Sequence, residues 1–194
     1  LTPAVKGMSG ALLRAEELAT ALPDAIVLQQ FHNPANTDAH QFGTAAEIWN
    51  DTEGQVDAVV AGVGTGGTLS GIARALKKLK PDVRIVAVEP DASPVLSGGV
   101  PGRHTIEGLG AGFIPPLLNM DMVDEVLTIS NATAFETARA AARKEGLPVG
   151  ISSGAALAAA LEVAARPNMA GKTVVVLIPS FAERYLTTAL FEDL

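Results

Sequence analysis

The strongest constraint on this chain is a short stretch, Gly62-Val-Gly-Thr-Gly-Gly-Thr-Leu-Ser-Gly71, which holds five glycines in ten residues. An apolar run at residues 56–61 precedes it, and Leu69, Ile72, Ala75, Leu76 and Leu79 follow at helical spacing. Strand, glycine turn, helix is an order in which the backbone bends sharply and offers the free N–H groups of a helix start. Those groups carry a partial positive charge, so an oxyanion, most simply a phosphate, belongs at the turn. A tight turn that binds nothing is the plainer alternative. The glycine density, with Thr65 and Thr68 alongside, favours the phosphate.

The rest of the chain alternates in the same way. Spacing predicts a helix over residues 8–22, closed by Pro23, and a short buried strand at residues 25–28. A turn-rich crossover follows, with Asn36 or Thr37 as the cap of a helix carrying Ala45, Ala46, Ile48 and Trp49. Beyond the glycine turn come a helix at 68–80, a strand at 83–88 and an irregular stretch at 90–116. A strand near 126–129 leads into a helix for which Thr133 and Glu136 offer a capping box. A helix over about 153–165 and a strand at 173–178 complete the pattern. Strands alternating with helices predict an α/β fold with a mostly parallel, twisted sheet flanked by helices.

Composition narrows the partners. The chain is 48% hydrophobic and 18% charged, which suits a globular core. A net charge of −7 disfavours a nucleic-acid backbone, and no apolar stretch is long enough to span a bilayer. Cysteine is absent, which removes disulfides and thiolate chemistry and is compatible with the cytoplasm. His32, His40 and His104 have no metal-ligand spacing, so surface or loop roles are expected and no metal site is assigned. Asp121 and Asp124 are read as a solvated loop, and Trp49 as core.

The motif itself admits two phosphates. Gly62, Gly64 and Gly67 satisfy G-x-G-x-x-G, and Glu89 stands 22 residues past Gly67, where a dinucleotide fold places its ribose-binding acid. A nicotinamide-dependent dehydrogenase is therefore one reading. The other is a terminal monophosphate, which two turn hydroxyls suit better than they suit a pyrophosphate bridge.

Gly64-Thr-Gly-Gly-Thr68 resembles the cofactor-phosphate loop of the cysteine synthases (O-acetylserine sulfhydrylases), fold-type II pyridoxal-phosphate enzymes with a tryptophan synthase β-like fold. Further segments resemble that family in its order: Gln29-Gln-Phe-His-Asn-Pro-Ala-Asn36, Val86-Ala-Val-Glu-Pro90, Gly108-Leu-Gly-Ala-Gly-Phe-Ile-Pro115, Gly150-Ile-Ser-Ser-Gly-Ala-Ala156 and Glu183-Arg-Tyr-Leu186. The resemblance covers nearly the whole chain. Glu107, where the family usually has Gln, and Ala182, where it often has Gly, depart from the pattern.

The resemblance implies that Gly64, Thr65, Gly66, Gly67 and Thr68 hold the phosphate of pyridoxal 5'-phosphate, and that Ser152 hydrogen-bonds its pyridine nitrogen. For Ser152 and Ser153 the plainer role is N-capping of the helix that follows. Gln30 is implied as a substrate-carboxylate contact, and Gly108 as part of a loop that closes over substrate. Residues 1–32 are expected to be the tail of a smaller domain, and residues 33–194 the large cofactor domain. The implied reaction is β-replacement, O-acetyl-L-serine and sulfide giving L-cysteine and acetate. The implied partners are a second copy, as a homodimer, and the C-terminal tail of serine acetyltransferase. Cystathionine β-synthase chemistry and a non-catalytic binding module are the other readings. Leu1 is not Met, and none of Lys6, Lys77, Lys78, Lys80, Lys144 or Lys172 sits in the family's lysine motif. The Schiff-base lysine is thus expected upstream, and these residues by themselves are expected to be inactive.

Overall fold

Period-two alternation along the central strand decides which side chains serve which core. The computed structural model describes residues 1–192. Its strands are β1 (Val56–Gly62), β2 (Arg84–Pro90), β3 (Glu125–Ile129) and β4 (Thr173–Val176), in the order β3-β2-β1-β4 with every pairing parallel. Ala58 and Val60 of β1 join Val86 and Val88 of β2 in one core, whereas Val59 and Ala61 join Ile85 and Ala87 in the other.

Helices cover both faces, as a parallel sheet requires. In chain order they are α1 (Gly7–Ala21), α2 (Pro34–Ala39), α3 (Ala45–Asp51), α4 (Gly67–Leu79), α5 (Asn131–Glu145) and α6 (Ile151–Ala164). Ala134, Ala138 and Ala141 of α5 and Ala155, Ala159 and Val163 of α6 close the first core. Ala45 and Ile48 of α3 and Leu69, Ile72 and Leu76 of α4 close the second. The expected α/β class is what the chain adopts.

The strand order also locates the site. From β1 the chain moves outward through β2 to β3, then returns to place β4 on the other side of β1. Such a reversal opens a crevice beyond the carboxyl ends of the two strands that flank it. The glycine turn leaves the carboxyl end of β1, at the mouth of that crevice.

Most predicted elements appear within a residue or two, and the exceptions have physical causes. Residues 25–28 form no strand: no described strand pairs with them, and Ile26 and Leu28 are 85% and 78% exposed. The cap of α2 is Asn33, whose Oδ1 accepts from Ala35 N at 3.0 Å, with Pro34 opening the helix. It is neither Asn36 nor Thr37, because a proline at the first helical position starts the helix earlier. Likewise Ser130 caps α5, accepting from Thr133 N at 3.1 Å, so Thr133 lies inside the helix. Between α2 and α3 the helix widens into a π-type turn at His40–Thr44.

Polar ties hold the far end of the sheet. Register shifts between Val56 and Ala58 against β4, and the intervening Asp57 accepts from Lys80 Nζ and Thr173 N, both at 2.9 Å. Glu125 of β3 takes both terminal nitrogens of Arg166 at 2.7 Å and one of Arg84 at 2.9 Å.

Candidate functional site

Glycine at the turn is required by close approach. Gly66 has φ +79°, in the left-handed region that glycine enters without strain, and it precedes α4 with no side-chain cap. Beyond Gly67, the N–H groups of Thr68 and Leu69 in the first turn of α4 are therefore open to a ligand. A Cβ on Gly64 would collide with the carbonyl oxygen of Gly108, and one on Gly67 with the Asn36 amide.

The two threonines of the turn are backed from α2 and the π-type turn. Thr65 Oγ1 accepts from Asn36 Nδ2 at 3.0 Å and from Gly67 N at 3.4 Å. Asn36 Nδ2 also donates to the carbonyl oxygen of Gln30 at 2.9 Å, which ties the segment before α2 to the turn. Thr68 Oγ1 lies 3.1 Å from His40 Nε2, and His40 Nδ1 lies 2.9 Å from Thr44 Oγ1. Burial holds His40 below its ordinary value of 6.5, so the imidazole is neutral at pH 7.

Over the turn lies an open cleft of about 1030 Å³ whose wall includes Gln30, Gly64, Thr65, Gly108, His104 and Asn131. Four of the expected site residues thus meet in one space. Gly66, Gly67 and Thr68 lie off its wall, leading from Thr65 into α4. Gly108 has φ +90°, and its loop is held by Gly110 N to Val63 O at 3.2 Å, His104 Nε2 to Gly110 O at 3.0 Å and Thr105 N to Asn131 Oδ1 at 2.9 Å. Exposed Glu107 leads into that loop, its N–H donating to Thr105 O at 3.1 Å.

Ser152 is the second residue of α6 and 5% exposed, with its hydroxyl 4.0 Å from where a Cβ on Gly108 would stand. Among the described residues no protein group hydrogen-bonds that hydroxyl. Neither serine caps α6: Gly150 occupies the cap position without a side-chain bond, and Ser153 Oγ donates to Ser180 O at 3.2 Å. Capping of α6 by either serine is therefore ruled out, since Ser152 and Ser153 stand two and three residues past the cap position, inside the first turn. Ala182 is buried with φ outside the left-handed region, so a methyl group is accommodated there.

Glu89 has a different employment from the one the dinucleotide motif implies. The residue is 1% exposed, and its carboxylate accepts from Leu96 N at 2.8 Å, Ser97 N at 2.9 Å and Ser97 Oγ at 2.6 Å. Three donors from its own downstream loop leave it turned away from any ribose. What sequence reasoning missed is the part played by Asn36 and His40. Their i, i+4 spacing on one helical stretch was the available signal, because such residues share a face.

Known proteins match this geometry. A profile of the Pyridoxal-phosphate dependent enzyme family matches residues 4–180. Cysteine synthase A of Escherichia coli (strain K12) is 50% identical, with the match covering 100% of this chain and 63% of that protein. The crystal structure of cysteine synthase from Entamoeba histolytica superposes with a TM-score of 0.92 at 46% identity, over 98% of this chain and 56% of the other. O-acetylserine dependent cystathionine beta-synthase from Helicobacter pylori gives 0.92 at 43%, over 98% and 61%. The chain thus spans about 63% of the length of the curated relative. In sequence and in fold, the chain belongs to the pyridoxal-phosphate dependent enzyme family.

Proposed function

We propose that this chain supplies the cofactor site of an enzyme of β-replacement, which converts O-acetyl-L-serine and sulfide to L-cysteine and acetate. The observation that carries the reading is the convergence of Gln30, Gly64, Thr65 and Gly108 on one cleft, with the Ser152 hydroxyl beside Gly108. The residues present fit pyridoxal 5'-phosphate: the cradle excludes any Cβ at Gly64 and Gly67, and the start of α4 lacks a side-chain cap.

In this reading Gly64, Thr65, Gly66, Gly67 and Thr68 hold the phosphate, through backbone N–H groups and two hydroxyls. When bound, the cofactor withdraws electron density from the substrate Cα and eases loss of its proton. Ser152 orients the ring by a hydrogen bond to the pyridine nitrogen. A neutral hydroxyl at the positive end of α6 does not hold a proton on that nitrogen, as a carboxylate would, and so moderates the withdrawal. That suits a substrate whose β-substituent already leaves well. Gln30 positions the substrate carboxylate, and Gly108 lets its loop approach without a side chain intervening.

Resemblance to the cysteine synthases supports the wider assignments. Residues 1–32 belong to a smaller domain and residues 33–194 to the large one, and the enzyme works in the cytoplasm as a homodimer that admits the C-terminal tail of serine acetyltransferase. Among the described residues no helix is long and apolar enough to cross a membrane.

The test is an assay of the protein carrying this chain, supplied with pyridoxal 5'-phosphate and O-acetyl-L-serine, with sulfide or homocysteine as nucleophile. Cysteine formation from sulfide is expected. Turnover with homocysteine alone would move the assignment to cystathionine formation, and no turnover with either would end the β-replacement reading.

A further inference from the structure

We propose that Asn36 and His40 are positioning residues that aim the hydroxyl protons of Thr65 and Thr68 into the phosphate pocket. The inference rests on the reading of residues 64–68 as the cofactor-phosphate cradle.

The argument begins with what a hydroxyl can do: it has one proton to donate and two lone pairs to accept with. Thr65 Oγ1 accepts from Asn36 Nδ2 at 3.0 Å and from Gly67 N at 3.4 Å, so both lone pairs are taken. Its proton is the one bonding function left, and an acceptor must receive it. Asn36 is held in the donating orientation by its second bond, to Gln30 O at 2.9 Å, because a carbonyl oxygen accepts only from the NH₂ end of the amide.

Thr68 is arranged in parallel. His40 Nε2 stands 3.1 Å from Thr68 Oγ1, and Nδ1 stands 2.9 Å from Thr44 Oγ1. A neutral imidazole carries one N–H and one bare nitrogen. With the Thr44 hydroxyl donating to Nδ1, the Nε2–H donates to Thr68 and releases the Thr68 proton toward the turn. The opposite tautomer would draw that proton back onto His40 and present a lone pair to the anion, which electrostatics disfavours. Burial of His40, which keeps the ring neutral, agrees with this arrangement.

Asn36 and His40 are four residues apart on one continuous helical stretch, so a single face backs both hydroxyls. The π-type turn beginning at His40 widens the helix where the ring enters; such bulges frequently accompany functional positions. The consequence is selectivity. Two forward-pointing donors, added to the N–H groups of α4, match a fully ionised phosphate, which only accepts.

The experiment measures equilibrium binding of pyridoxal 5'-phosphate and of pyridoxal, which lacks the phosphate, to the full protein, read by the change in tryptophan emission, to which Trp49 of this chain contributes. His40→Leu and Asn36→Ala are each expected to weaken pyridoxal 5'-phosphate by about tenfold, the scale of one hydrogen bond to a charged group, while pyridoxal binding stays unchanged. His40→Gln, whose amide N–H reaches a similar position, is expected to restore most of the loss. Equal weakening of both ligands, or no change with pyridoxal 5'-phosphate, would overturn the assignment of these residues alone. If the unaltered protein shows no preference for pyridoxal 5'-phosphate over pyridoxal, the cradle reading itself falls, and this inference with it. His40→Gln also guards against a folding defect: a folded Gln variant that still loses tenfold counts against the donor role.

Discussion

Residues 1–30 and the sheet region from Val56 onward draw on the same apolar residue types, yet they end in opposite environments. No residue of α1 is buried, and Val5, Leu13, Leu18, Leu22, Ile26 and Leu28 are all exposed. In β1, by contrast, Val56, Ala58, Val59 and Val60 are fully buried, with a helix layer on each side. Periodicity announces a face that wants covering, but burial needs a second surface to cover it. Each β1 side chain finds one in β2, β4 or a helix. Among the described residues α1 finds none, and the packed body of the fold begins at Phe31, 2% exposed, whose ring lies 5.3 Å from that of Phe113.

Stability measurements can break or sharpen this contrast. Ile85→Ala, fully buried near the start of β2, is expected to cost the most, about 2–5 kcal/mol by denaturant titration. A loss under about 1 kcal/mol would show that the sheet region is packed no better than the N-terminal one. Glu89→Ala comes next, at about 1–3 kcal/mol, because Leu96 N, Ser97 N and Ser97 Oγ lose their acceptor in a buried place. Its effect on cofactor affinity is expected to be small, since the carboxylate faces its own loop.

A pH series probes the far end of the sheet. The Arg166 guanidinium, with burial opposing it, holds the Glu125 carboxyl below its ordinary 4.5. A depressed carboxylate pKa means stability that is present in full above the unfolded value and lost as pH falls through the folded one. Glu125→Gln is therefore expected to be less stable than the unaltered protein at pH 7, with the gap closing below about pH 4.5. A gap independent of pH would show that the ion pair is not its source. Leu18→Ala in α1 closes the series: a change within about 0.5 kcal/mol is expected, as for a surface position. A loss of core size there would mean that α1 is covered after all, and would remove the contrast.

How legible each region was in the sequence follows the same line. The apolar run at 56–61 and the helical spacing at 69–79 were sufficient, because both faces of a central parallel strand must be apolar whatever packs on them. The run at 25–28 reads equally well, yet forms no strand, since pairing partners are not encoded in the run itself. Caps went astray at Asn36 and Thr133, where Asn33-Pro34 and Ser130 had the earlier claim. At the site, the glycine turn was plain from local spacing. Glu89 was ambiguous, since 22 residues of separation from Gly67 does not tell which way a side chain turns. Asn36 and His40 were hidden because their partners, Thr65 and Thr68, lie 29 and 28 residues away.

By itself, then, the sequence determined the alternation of strands and helices, the uncapped glycine entry to α4, and the choice of small residues where backbones meet, for these depend on local sterics and period. Only the tertiary structure decided that β4 returns beside β1, that Gly108 presses on Gly64, that Glu89 serves its own loop, and that Asn36 and His40 stand behind the turn. Those outcomes depend on which distant surfaces meet, and the free energy that selects them belongs to the pair rather than to either segment.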